Sequence, residues 1–531
     1  MPDGPSSRYV ADPPLDNSPL GLRTSRSCCD RLSKYLVDPR RIVHKYFLLC
    51  LICLFIPGPY FHDGLVSTYK AEVMMNLELS NKQFSMLFAF ASLTGLCCSP
   101  SYIVMAWLGR TRVALGAGLT CAVASLGVTI GFQGRWFGLM LISRVIFWLA
   151  VYMLCTVQTV LVYALFRGRE LVVAYGLVIT FCRLGGVLAY FLSGPLLGLC
   201  GGVFGSFMVG VFFVVVAFVA TATFACLFRG TSTAQAVRPL LGESRQVKRV
   251  SLELVRTLPV PIVLVAVSVG LMYGVIFPFE ANADAMLQDA FGYSANGAGF
   301  LLTVAPAISL LSPFLAPVMG EAALTRLRYG IAGHLIVSSG MILLSTEAAW
   351  SPAPGFIQTG IGYCVGCCGL WTALPVMIQA TVPEEHRSTV EHMMTGLCYA
   401  AAALSQFVSN LVVGAILDAS SYRLACVWLA FCSALGASAA FGAVRGLPRA
   451  VQNLQALQGM SGPTVSSLDL GSPTRTPTDS CCLESSESDM QQPPLVCGSS
   501  KEVLVQDDHF CNTAKDASPN SSLNTHSVSC V

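Results

Sequence analysis

A few ionisable side chains interrupt an otherwise apolar chain, and each sits where charge is expensive. Arg183 lies in the run that follows Arg167-Gly-Arg-Glu170 and ends in Phe181-Cys-Arg-Leu-Gly-Gly186. At about 1.5 Å per residue it stands roughly 18 Å along a helix starting at Leu171, halfway down a membrane-length segment. A guanidinium at that depth costs several kcal/mol unless it meets a partner, water or a ligand. Its chemistry would be two-pronged recognition of a carboxylate. The competing reading is a buried arginine that bridges helix carbonyls or a fixed acid. His62-Asp63 and Glu280 fall at the expected ends of helices 1 and 7, close to the non-cytoplasmic surface. They fit hydrated gate residues or, more sharply, proton coupling. Arg144 falls in the outer third of helix 4, where it can snorkel and serve structure. Glu391-His392, opening helix 11, reads as a solvated pair at the cytoplasmic interface.

The elements that must position these groups follow from composition. The 531 residues are 54% hydrophobic and 11% charged, whereas soluble globular proteins carry about 25% charged residues. Apolar windows of about 20 residues recur between Tyr46 and Val444, twelve in all. The expected fold is an all-α polytopic membrane protein with twelve transmembrane helices in two six-helix halves. A net charge of +3 gives no reason to expect nucleic acid as a partner. No P-loop, HExxH or GxSxG motif occurs in its required context, which argues against ATP-driven transport and against an enzyme. The expected partners are a small-molecule substrate and the lipid bilayer, with no cofactor or metal. The 22 cysteines are scattered, and Cys364, Cys367 and Cys368 read as small packing residues in a Gly-rich helix rather than as metal ligands. In that helix Gly360, Gly362, Gly366 and Gly369 allow close packing, or a bend as access alternates.

Five divisions are expected: a cytoplasmic N-terminal tail (1–45), a first half (46–228), a cytoplasmic central loop (229–258), a second half (259–444) and a polar, disordered C-terminal tail (445–531). The turns leaving even-numbered helices carry Arg110/Arg112, Arg167/Arg169, Arg229 to Arg256, and Arg326/Arg328. By the positive-inside rule that face and both tails are cytoplasmic. The halves look like repeats. Ser80, Ser99-Pro100 and Arg112 are matched by Ser294, Ser312-Pro313 and Arg326, and Pro59-Tyr-Phe-His-Asp63 by Pro278-Phe-Glu-Ala-Asn-Ala-Asp284. Proline-interrupted segments at matching positions of two halves point to the central site of a transporter.

With these features the sequence resembles the major facilitator superfamily. Gly109-Arg-Thr-Arg112 is similar to the end of that family's loop between helices 2 and 3, although Ala106 and Trp107 stand where an Asp-Arg would. Within the superfamily it is most similar to the lysosomal dipeptide uniporter branch. Ser143-Arg144 through Gly185, including Gln158, Phe166-Arg-Gly-Arg-Glu-Leu171, Tyr175-Gly-Leu177 and Arg183, carries that likeness. Val275-Ile-Phe-Pro-Phe279, Phe291-Gly-Tyr-Ser294, Leu370-Trp371, Val382-Pro-Glu384 and Ile416-Leu-Asp418 add to it. The resemblance implies alternating-access transport of a small organic solute, such as a dipeptide or another carboxylate-bearing nutrient, and an accessory membrane subunit. It implies a substrate site around Arg183, with Tyr152, Gln158 and Trp371 supplying hydrogen bonds and an apolar wall; Trp371 reads equally as core. One departure is important: Tyr152 occupies the position of the branch's substrate-binding acid on helix 4, and Trp148, Ala150 and Val151 replace its glycines.

A uniporter or secondary transporter is the first functional expectation. The alternative is a nutrient sensor or membrane scaffold that keeps the fold without transporting. The branch implies a lysosomal or other endomembrane, but Asp16-Asn-Ser-Pro-Leu20 is followed by Gly21, so the acidic dileucine signal is incomplete and the plasma membrane stays open. Cys28-Cys29 and Cys481-Cys482 are palmitoylation candidates, and Ser472-Pro473, Thr476-Pro477 and Ser485 to Asp489 are phosphorylation candidates. Asn520-Ser-Ser522 lies in the expected cytoplasmic tail, where a glycan is not expected.

Overall fold

A computed structural model describes residues 42–166, 168–229, 258–320, 322–346 and 351–457. Arg167, the side chains of Arg169, Glu391 and His392, and the expected modification sites of both tails lie outside the described residues.

The described elements are helical and fall into twelve segments. Segment 1 comprises Ile42–Cys53 and Pro57–Thr68, continued by the short helix Lys70–Leu77. Segment 2 is Asn81–Leu93, a 3-10 turn at Thr94–Cys97, and Cys98–Leu108. Segments 3 to 6 are Arg110–Gln133, Phe137–Leu165, Gly168–Leu199 and Val203–Arg229. Segment 7 is Val260–Asp289, and segment 8 is Ala295–Ser309 followed by Ser312–Leu315. Segments 9 to 12 are Ala323–Ser345, Ala353–Thr381, Glu384–Ala419 and Tyr422–Leu457. Among the described residues, 11 spans are long and apolar enough to cross a membrane. Segment 2 is the one expected span not among them, because its break leaves helices of 13 and 11 residues.

The repeat seen in the sequence is also a repeat of structure. Segments 2 and 8 both open on a capping serine: Ser80 accepts from the Gln83 N–H at 3.2 Å, and Ser294 from the Gly297 N–H at 3.3 Å. Ser80 completes a capping box, since its own N–H donates to the Gln83 side chain. Both segments then break just ahead of Ser-Pro. Pro100 and Pro313 stand in the first turn of the helix that resumes, where a missing N–H costs least.

Packing follows the same symmetry. Segment 1 lies against 5 and 6, and 3 against 4 and 6; in the second half, 7 lies against 11 and 12, and 9 against 10 and 12. The halves meet where segment 2 crosses 11 and, correspondingly, where 8 crosses 5. Inside a membrane, lipid is as apolar as leucine, so close contact between backbones supplies much of the attraction. Segments 9 and 10 show this at Gly333, where an added methyl would fall 2.3 Å from the Cα of Gly366. The glycines of segment 10 are therefore contact surfaces.

Two expectations about boundaries change. His62-Asp63 and Glu280 are expected to end helices 1 and 7 close to a surface. Pro57 instead starts a helix that runs to Thr68, and Pro278 lies inside one that runs to Asp289. The expected tail boundary at residue 445 likewise falls within segment 12, which continues to Leu457. Leu447 and Val451 are four residues apart, so both face the same way and are buried against Ile262 and Val265 of segment 7.

Candidate functional site

A cavity of about 180 Å³ lies between the halves, lined from segments 1, 2, 4 and 5 on one side and 7, 8 and 11 on the other. Arg183 enters it from the middle of segment 5, 15 residues from Gly168 and 16 from Leu199. Gly185 lets segment 5 press on the break in segment 1: an added methyl there would fall 2.2 Å from the Pro57 carbonyl oxygen. Across the cavity, the Arg183 guanidinium carbon lies 4.9 Å from the ring centre of Tyr363 and 5.5 Å from that of Phe277. Cation–π contacts of this kind contribute about 1–2 kcal/mol each when dry. Among the described residues, no ion pair or protein hydrogen bond occupies the guanidinium. The reading of Arg183 as an arginine fixed by an acid is thus not what the geometry shows.

That fixed role belongs to Arg144. Its Nη2 donates to Asp63 Oδ1 at 2.6 Å and its Nε to the Leu87 carbonyl at 3.2 Å, with the guanidinium 4.2 Å from the Phe88 ring centre. Trp148 Nε1 donates to the same Asp63 oxygen at 2.9 Å. Arg144 is 1% exposed, so it does not snorkel; Asp63 compensates its charge within the first half. Expected as a hydrated gate residue, Asp63 is instead the anchor of this buried pair and presents one edge to the cavity. His62 is not a hydrated gate residue either. It is buried between Phe147 and Phe207, against Gly210, and points away from the cavity lining. Glu280 lines the cavity and is buried nine residues before the end of segment 7, rather than standing at its surface end.

The other expected site residues divide. Tyr152 lines the cavity, packed between Trp148 and Tyr399. Gln158 also lines it, but its amide nitrogen donates to the Ile52 carbonyl at 2.7 Å, beside the break that Pro57 introduces in segment 1. Trp371 stands behind the wall, its ring 5.6 Å from that of Tyr399. The sequence reading passed over Tyr60, Phe277, Tyr363 and Tyr399. Tyr60, Trp148, Tyr152 and Tyr399 form a continuous run of ring contacts from one half to the other. Spacing offers no signal for such a run, because its members lie on three segments.

At the end remote from the basic loops the halves are clasped. Lys70, 1% exposed, donates to Asn282 at 2.8 Å, and its ammonium lies 5.6 Å from the ring centre of Tyr422, whose hydroxyl donates to Asp289 of its own half at 3.0 Å. Asp418 at the end of segment 11 accepts from the backbone N–H groups of Asn81 and Lys82, which open segment 2. On the other side, the cavity extends at least to Thr159 and Val178, toward the basic loops.

Two related six-segment halves around a central, partly polar cavity define a secondary-transporter architecture rather than an enzyme. The chain belongs to the Major Facilitator Superfamily, whose family model matches residues 49–391. It is similar to the lysosomal dipeptide transporter MFSD1 of Mus musculus, 24% identical over 415 residues, covering 75% of this chain and 86% of the relative. The Homo sapiens protein of that name is 22% identical over 411 residues, with 75% and 86% covered, and the Danio rerio protein 24% over 405, again with 75% and 86%. Among solved structures, the inward-open xylose transporter XylE of E. coli shares the fold, with a TM-score of 0.59, 14% identity, and coverage of 78% of this chain and 99% of that one.

Proposed function

We propose that this transporter carries a small carboxylate-bearing nutrient, with short peptides the leading class, by alternating access of its central cavity. The observation that carries the reading is Arg183: a guanidinium at mid-membrane depth, facing a cavity and two aromatic rings, with no acid bound to it. A two-pronged carboxylate would offset much of the cost of holding that charge out of water. The relatives named as lysosomal dipeptide transporters support the substrate class and favour an endomembrane, lysosome-like location. The clasp at the end remote from the basic loops supports a form that opens toward the basic-loop face. Uniport is the simpler reading, since the first-half acid in the cavity, Asp63, is tied to Arg144.

Uptake of radiolabelled dipeptides, amino acids, sugars and organic anions into liposomes containing the purified chain tests this. Arg183→Ala should lower uptake by roughly tenfold or more. Arg183→Lys should impair it nearly as much, because an ammonium lacks the planar fork. Wild-type rates in a well-folded Arg183→Ala protein would refute the assignment.

A further inference from the structure

Three charged residues line the cavity, and one of them, Asp63, is already paired with a charge of opposite sign. Asp63 already accepts from Arg144 and Trp148 on one oxygen. That leaves Arg183 on segment 5 and Glu280 on segment 7, one charge of each sign, from opposite halves. Glu280 follows Phe277, the ring beneath Arg183, by three residues. It therefore stands about one helical turn, roughly 5 Å, further along the same side of segment 7. No ion pair joins the two among the described residues, and no protein donor there hydrogen-bonds Glu280.

We propose that Glu280 reads the ammonium group of a substrate whose carboxylate is held by Arg183, so that the carrier selects zwitterions with a free amine over plain organic acids. This rests on the assignment of Arg183 made above. The physical argument is charge balance. A plain acid would satisfy Arg183 and leave the Glu280 carboxylate buried without a partner, whereas a zwitterion satisfies both. Segment 4 supplies no competing acid, because Tyr152 and Trp148 face the cavity there. A ligand held at both ends also ties the first half to the second, which is what closure around a substrate requires. Glu280 thus sets specificity, and the amine of the substrate is read from the half opposite Arg183.

The test measures binding of alanyl-alanine, N-acetyl-alanyl-alanine and alanyl-alanine amide to the purified full chain by calorimetry. In the wild type, acetylation should weaken binding roughly 30-fold or more, because it removes one partner of a buried charge pair. In Glu280→Gln the free and acetylated peptides should bind within about threefold of each other, while the penalty for C-terminal amidation persists. If Glu280→Gln does not elute as a monodisperse protein, Glu280→Met carries the same comparison. Undiminished discrimination against the acetylated peptide in the variant would sink this inference alone. So would a variant that keeps that discrimination but loses accumulation driven by a proton gradient, since Glu280 would then be a proton carrier. Failure of the wild type to bind alanyl-alanine would overturn it too. If Arg183→Ala leaves all three affinities unchanged, the carboxylate assignment falls as well.

Discussion

Asp418, in the last turn of segment 11, caps the first helix of segment 2: its Oδ1 accepts the backbone N–H of Asn81 at 2.7 Å. The partner oxygen takes the N–H of Lys82 at 3.0 Å. A side chain of the second half thus satisfies backbone donors left over at a helix start in the first, joining the halves at the end remote from the basic loops. Ser80 caps the same helix from within its own chain segment.

Replacing Asp418 by alanine removes the cross-half cap and leaves the local one. A lost cap costs about 0.5–2 kcal/mol, so the amides of Asn81 and Lys82 should exchange with solvent roughly 2- to 30-fold faster. Hydrogen-exchange mass spectrometry on the Ser80–Gln83 peptide reads this directly. Unchanged exchange there would mean that the clasp rests on Lys70 and Tyr422 instead.

The Asp63–Arg144 pair should behave as a structural unit. Asp63→Asn leaves a buried guanidinium without its counter-charge and should cost about 3–5 kcal/mol. Expected outcomes are a clear fall in apparent melting temperature and loss of expression. Combining Asp63→Leu with Arg144→Met removes both charges and should recover much of that loss. A double variant no more stable than Asp63→Asn would show that the pair contributes more than mutual compensation.

Chain shortening separates segment 12 from the sequence beyond it. Ending the chain after Leu457 should leave a monodisperse protein in detergent, since the polar Ser/Pro-rich remainder has little apolar surface to bury. Ending it after Arg445 removes Leu447 and Val451 from the core beside segment 7, at roughly 1.5–3 kcal/mol each. Size-exclusion profiles of the two chains should differ, the shorter showing aggregation. Identical profiles would count against the packing role of the last three turns.

The legible features were those with a local cause. Hydropathy marks the spans, and the depth of Arg183 follows from counting residues along a helix. The serine caps and Ser-Pro breaks of segments 2 and 8 could be matched because each lies within a short stretch. What sequence left open depends on contacts between distant residues. Asp63 and Arg144 are 81 positions apart, and nothing in either neighbourhood says that they meet. The rings that face Arg183 come from the opposite half. A proline can open a helix, as Pro57 does, or ride inside one, as Pro278 does, and the immediate sequence does not say which. Gln158 shows the same limit, because its amide nitrogen serves a backbone carbonyl at a break that sequence could flag but not fold.

The broken segments also have a mechanical meaning. In segment 2 the regular helix is interrupted near mid-length, at Thr94–Cys97, and in segment 8 toward its inner end, between Ser309 and Ser312. The stiffness of an unbroken rod is therefore absent from the two segments that form the seams between the halves. In each, the piece before the break packs along the cross-seam neighbour, segment 11 or 5, and the piece beyond it touches both that neighbour and its own half. An interrupted helix bends at less cost than a continuous one, so the two seams share matched points of compliance, each between its capping serine and the basic turn that follows.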